Sequence, residues 1–310
     1  MTRRKFRFGI AGRAQTRTAW QDFARQAEDL GFSTLLIPDH FTSQMAPLPA
    51  IVSVAAVTSR LRFGTNVLDN DFRHPAVLAK EAATVDLLTD GRFELGVGAG
   101  WSPSDYSQTG IPFDTGNVRF ERLKEAVHII TAAFGPEPVS FSGKYYAVQE
   151  LNVLPKPVQK PGPPLLLGAS RPRMLAYAGQ VADIVGLEDQ QWPQRDLHAN
   201  HIPVANAAEQ VAIVREAAGA RFDQIELSIL LARIVITDRP HEAAESMAAN
   251  LGLSVEQVLG SASILIGSVD SMIEQLQERR ERLGISYPVV FDRAALEAGF
   301  SRVVARLTAI

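Results

Sequence analysis

The chain has 310 residues, 46% apolar content, no cysteine and a formal charge of -3 at pH 7. That balance leaves no basic footprint for nucleic acid, and the missing thiols exclude disulfides, thiolate nucleophiles and zinc-thiolate sites. No apolar run reaches the roughly 18 residues of a membrane span, and Thr2-Arg3-Arg4-Lys5 leads into a strand-like segment rather than a signal core, so a cytoplasmic protein is expected.

In chain order, short and continuously apolar runs alternate with amphipathic ones. The spacing predicts strands at Phe6–Ile10, Thr34–Ile37, Arg62–Asn66, Phe93–Val97, Pro164–Leu167, Ile184–Leu187, Ile225–Leu230 and Tyr287–Phe291. It predicts helices at Trp20–Leu30, Pro47–Thr58, Pro75–Leu88, Val118–Phe134, Pro172–Val181, Ala207–Ala218, His241–Leu251, Val269–Leu283 and Arg293–Leu307. Buried strands that alternate with helices imply a parallel sheet covered by helices. Eight such units in one chain favour a closed (β/α)8 TIM barrel, an α/β fold, over an open sheet. Pro288 in the last strand removes a ladder donor, so that strand is expected to start late or carry a bulge.

Residues 1–310 read as a single domain with insertions at about 101–116, 138–154, 188–206 and 251–263. The second of these has glycine at its centre and reads as a hairpin. The third is polar and reads as a lid, and the fourth reads as an extra helical turn.

In a parallel barrel the functional groups stand where strands end. Asp39 and His40 follow the second strand, Asn66, Val67 and Asp69 the third, Ala99, Gly100 and Trp101 the fourth, and Gly168, Ala169 and Ser170 the fifth. An imidazole beside an acid suits proton transfer near neutral pH, although the same pair would also serve as a loop cap with a surface histidine. Gly96, Gly98 and Gly100 let the backbone approach something flat or anionic, or simply make a sharp turn. A dinucleotide turn is disfavoured, because Pro103 interrupts the immediate helix such a turn needs. Gly168-Ala169-Ser170 leads into a helix start near Pro172, with Arg171 and Arg173 close by. It reads equally as a phosphate cradle and as a plain turn. Arg73 and His74 either face a substrate or cap the third helix. His198 and His201, with Asp189 and Asp196 nearby, have metal-compatible spacing, but nothing completes a ligand set and no metal site is expected.

Taken together, Pro38-Asp39-His40, Gly64-Thr65-Asn66-Val67, Phe72-Arg73-His74-Pro75, Asp90 to Trp101 and the Gly168 turn resemble the bacterial-luciferase-like oxidoreductases. The branch most resembled uses coenzyme F420, a deazaflavin. The resemblance implies a (β/α)8 barrel with the deazaflavin ring held by Asp39, Asn66, Val67, Ala99 and Gly100, and Asp69 at the edge. It implies a cis peptide between Asn66 and Val67, and a tail phosphate on Gly168, Ala169 and Ser170. His40 matches the active-site histidine of the F420-dependent sugar-phosphate dehydrogenases. Those enzymes carry a catalytic glutamate directly after the glycines, whereas Trp101 stands there in this chain. An aromatic ring cannot accept a proton as a carboxylate does, so a small apolar or aromatic substrate near Trp101, with Arg73 as a second candidate contact, is expected instead.

Three functions follow from the resemblance. The first is hydride transfer between F420 and a small organic molecule. The second is oxygenation by reduced FMN, as in other members of the superfamily, and the third is a flavin-binding barrel without activity. The family also implies a homodimer.

Overall fold

The computed structural model describes residues 4–42, 44–188, 206–291 and 299–308. The chain falls into two compact units, one comprising residues 13–28 and 34–167, the other residues 1–12, 29–33 and 168–310.

In the first of these units the strands are β2 (Thr34–Ile37), β3 (Arg62–Thr65), β4 (Leu68–Asp69) and β5 (Phe93–Gly98), joined by the start of β8 (Leu165–Ala169). All pair in parallel: Thr34 with Arg62, Phe63 with Phe93, Leu68 with Val97 and Leu95 with Leu165. Side chains such as Leu35, Leu36, Phe63, Phe93 and Leu95 are fully buried, as strands covered on both faces require. Around them lie α1 (Arg17–Asp29), α2 (Pro47–Ala55), α3 (Pro75–Leu88), α4 (Pro103–Thr109) and α5 (Gly116–Phe134). Trp20 on α1 is buried and donates its indole N–H to the Ala50 carbonyl at 3.0 Å, which satisfies the polar atom of a large core ring. The expected hairpin is present as antiparallel β6 (Val139–Ser142) and β7 (Ala147–Leu151).

The other unit has β1 (Gly9–Ala11), β9 (Ile184–Leu187), β10 (Glu226–Leu231) and β13 (Ile285–Phe291), paired in parallel in the order β1, β13, β10, β9. Of the late start or bulge expected from Pro288, β13 shows no late start, beginning at Ile285, and has a bulge at Ser286: Leu227 faces Ile285 but Ser228 already faces Tyr287, so one residue of β13 has no opposite number. The helices are α6 (Pro172–Val181), α7 (Ala207–Ala218), α8 (Pro240–Leu251), α9 (Val255–Gly260), α10 (Val269–Leu283) and α11 (Ser301–Thr308). A short parallel pair, β11 (Arg233–Ile236) with β12 (Ile264–Gly267), was not anticipated. It shares a small core of Val235, Ile264 and Ile266 with Ala244, Ala248 and Val258 of α8 and α9, so the extra helical turn expected at 251–263 is part of a local cluster with its own burial.

The eight predicted strands are all present with shifts of a few residues at most, and the bounds of α3, α6, α7 and α10 agree with expectation. Among the described residues no helix is long and apolar enough to cross a membrane. The lid expected at 188–206, with the metal-spaced histidines, lies outside the described residues apart from its two ends.

Candidate active site

The strand ends of β2, β3, β4 and β5 carry the predicted rim residues, and the register of parallel pairing sets these exits side by side. Asp39, the second residue beyond β2, is buried and forms a two-pronged ion pair with Arg73: Nη1 to Oδ2 at 2.5 Å and Nη2 to Oδ1 at 3.1 Å. The Asp69 N–H also donates to Asp39 Oδ2, at 3.2 Å. Arg73 is thus committed to a carboxylate of the protein itself. His74 is the cap of α3, its Nδ1 accepting from the Ala76 N–H at 3.2 Å.

Beyond Asp69 the polar lattice continues. The Tyr106 hydroxyl lies 3.0 Å from Asp69 Oδ1 and 3.0 Å from Asp71 Oδ2, and Asp71 receives both Nε (2.8 Å) and Nη2 (2.6 Å) of Arg122. Arg122 also reaches Asp114 at 2.8 Å. Burial, opposed by the Asp71 N–H and the Tyr106 hydroxyl and reinforced by the negative charges of Asp71 and Asp39, pushes the Asp69 carboxyl up to about 6. The one hydroxyl proton of Tyr106 cannot serve two carboxylates at once, which agrees with Asp69 holding its proton unusually well. The hairpin supports this lattice from outside. Glu125 of α5 accepts the N–H groups of Lys144, Tyr145 and Tyr146 at 2.8 to 3.0 Å, and the Tyr146 hydroxyl accepts from Asn70 at 3.2 Å.

The three glycines of the β5 exit face the chain's own atoms. A Cβ on Gly96 would lie 1.9 Å from the Thr65 carbonyl oxygen, one on Gly98 2.6 Å from Val67 Cγ2, and one on Gly100 2.1 Å from the Tyr106 hydroxyl. Gly100 also has φ +77°, a conformation side chains disfavour. The glycine-rich exit is therefore demanded by internal packing. Arg119 of α5 fixes its outer end by donating to the carbonyls of Ala99 (3.1 Å) and Gly100 (3.3 Å).

His40 has a different setting. Its Nδ1 is 2.7 Å from Oδ2 of Asp105, whose Oδ1 accepts the Phe41 N–H at 3.1 Å. Asp105 is 2% exposed, whereas the imidazole is half-buried and meets the indole of Trp101 edge-on at 5.4 Å. Trp101 is 67% exposed, so an open aromatic ring adjoins an accessible histidine, whereas the ring of Phe41 meets Phe72 edge-on at 5.2 Å. Asp105 and Tyr106 were missed in the sequence because their helix, Pro-Ser-Asp-Tyr-Ser-Gln-Thr, has no apolar period. Pro103 starts this helix at its first position and does not exclude one. The Ser102-Pro103 start with an acid in the first turn was the available signal.

Asn66, Val67, Ala99 and Gly100 are half-buried, and the Asn66–Val67 peptide bond is cis, as the resemblance implies. Their donor set is neutral, and the rim carboxylates Asp39 and Asp69 are turned into the lattice, so these exits suit a flat, uncharged ring. In the other unit, Gly168, Ala169 and Ser170 lead to α6, whose N-cap is Arg171 with no capping side chain and whose first residue is Pro172. The backbone N–H groups of that first turn suit an anionic group.

The chain matches the luciferase-like monooxygenase family over residues 6–282 and belongs to that family. It is 36% identical over 170 residues to an F420-dependent glucose-6-phosphate dehydrogenase of Microbacterium testaceum, a match that covers 52% of this chain and 50% of that protein. A protein of the same description from Kineococcus radiotolerans is 38% identical over 170 residues, with the same coverage. The chain thus spans about half the length of the curated relatives it matches. Among solved structures it resembles the coenzyme F420 dependent tetrahydromethanopterin reductase of Methanopyrus kandleri, with TM-score 0.76, 19% identity and 97% of each chain covered. Likeness over the whole length shows the fold to be the (β/α)8 barrel.

Proposed function

We propose that this protein is an F420-dependent oxidoreductase that moves a hydride between the deazaflavin and a small, apolar or aromatic organic molecule. The observation that carries the reading is His40, buttressed by a buried carboxylate and met edge-on by the exposed ring of Trp101, at the strand exits of a family member whose matched relatives are named F420-dependent. Asn66, Val67, Ala99 and Gly100 would hold the ring, and Gly168, Ala169 and Ser170 the tail phosphate. When bound, the cofactor supplies the hydride chemistry. Asp39 and Asp69 act from behind, keeping the rim in place through Arg73 and Tyr106. His40 holds or returns the proton that accompanies the hydride, while Trp101 offers an apolar face beside it. Trp101 at the position of the dehydrogenases' glutamate supports a substrate other than a sugar phosphate.

Oxygenation with reduced FMN is the second reading, favoured by the description of the family itself. A barrel without activity is a third, against which the anchored imidazole weighs. Absorbance titration with each oxidised cofactor tests them. Saturable binding of F420 with no response to FMN is expected, and tight FMN binding with no response to F420 would overturn the first reading. A cytoplasmic homodimer belongs to the same proposal. Light scattering that returns the mass of one chain would remove the dimer from it.

A further inference from the structure

We propose that Asp105 is a positioning residue that locks His40 in the tautomer protonated at Nδ1, so that Nε2 is the atom through which the chain takes and returns a proton. The inference rests on the functional reading above but is carried by geometry that the sequence did not reveal. The Asp105 side chain is 3% exposed and both of its oxygens are occupied, Oδ2 by His40 Nδ1 at 2.7 Å and Oδ1 by the Phe41 N–H at 3.1 Å. An ionised carboxylate only accepts hydrogen bonds, so the nitrogen facing it must donate. A neutral imidazole carries one ring proton, and with that proton on Nδ1 the lone pair lies on Nε2.

The surroundings restrict the alternatives. The Phe41 N–H ties the same carboxylate to the residue after His40, which fixes the acceptor behind the ring, and the Trp101 indole meets the imidazole at an interplanar angle of 86°. The carboxylate absent at position 101 is thus supplied four residues later by α4, and it acts behind the imidazole rather than beside a substrate. As a substrate O–H or N–H bond breaks, its proton passes to Nε2 and the resulting imidazolium is stabilised by Asp105. In the reverse direction Nε2–H returns that proton to the same heteroatom. The electron pair that leaves or reaches carbon as hydride is exchanged with the deazaflavin named in the functional reading.

The Asp105→Asn variant separates a tautomer lock from a merely structural contact. An Asn Oδ1 that keeps the Phe41 N–H must turn its NH2 group toward Nδ1, and Nδ1 then has to accept, which moves the ring proton to Nε2. Nitrogen-15 spectra of histidine-labelled full-length protein at about pH 8.5, where an ordinary histidine is neutral, read this directly. His40 is assigned among the 6 histidines by comparison with His40→Gln. Wild-type His40 is expected to show a protonated Nδ1 and an unprotonated Nε2, and Asp105→Asn to show a shift of the proton toward Nε2. A wild-type ring protonated at Nε2, or an unchanged tautomer in the variant, would overturn the proposal. If the variant does not fold, the wild-type spectrum decides alone. F420 titration of the same wild-type sample keeps the two ideas apart: no F420 binding with a protonated Nδ1 removes the functional reading and leaves the lock, whereas F420 binding with a protonated Nε2 removes the lock alone.

Discussion

Asp39 and His40 are neighbours at one strand exit, yet they belong to opposite kinds of structure. Asp39 faces into a lattice in which every charged member has a partner, running from Arg73 through Asp39 and Asp69 to Tyr106, Asp71 and Arg122. His40 has one buried anchor and an otherwise accessible ring that meets Trp101 edge-on. A closed ionic network inside a protein contributes little net stability, because desolvation offsets attraction, but it fixes positions and is costly to break on one side only. An open imidazole with a fixed back has the freedom of charge that proton transfer needs. One half of the rim thus holds shape and the other presents an anchored, accessible imidazole.

Opening the closed half has the largest expected effect. Arg122→Ala leaves Asp71 buried without its guanidinium and should lower unfolding free energy by about 3–5 kcal/mol, measured by urea denaturation. A loss below about 1 kcal/mol would mean that the lattice is solvated and not closed. Next comes pH. Asp69 is raised from 3.8 to about 6, so between these values the folded state binds more protons than the unfolded state, and this group's contribution to stability falls as pH rises. Asp69→Asn removes that titration while keeping a hydrogen-bond acceptor. Relative to wild type its stability should therefore gain up to about 3 kcal/mol between pH 4 and pH 7, and parallel curves would contradict the raised carboxyl. The smallest effect on folding belongs to the open half. Trp101→Ala should change stability by no more than about 0.5 kcal/mol, while raising KM for an aromatic substrate. A large loss of stability would place Trp101 in the core rather than at the site.

Much of this was legible beforehand for one physical reason: strands covered on both faces leave unbroken apolar runs such as Thr34–Ile37 and Ile184–Leu187, and glycine or proline marks the adjoining helix ends. What escaped was short or non-local. Pro103–Thr109 displays no apolar period, so nothing in the sequence marked Asp105 and Tyr106 as facing inward from a helix. The Asp39–Arg73 pair joins positions 34 residues apart, and charge alone could not tell a substrate contact from an internal one for Arg73. The glycines of β5 were conspicuous, but the atoms that require them, in Thr65, Val67 and Tyr106, are set by register and not by spacing.

On the proposed function, the open half performs proton transfer while the rest of the rim holds the cofactor. His40→Gln, assayed in one cuvette by F420 absorbance against a panel of small alcohols, carbonyl compounds and activated alkenes, tests it most directly. F420 affinity within a few-fold of wild type, with turnover reduced about 10²–10⁴-fold, is the predicted result. Turnover equal to wild type would contradict it.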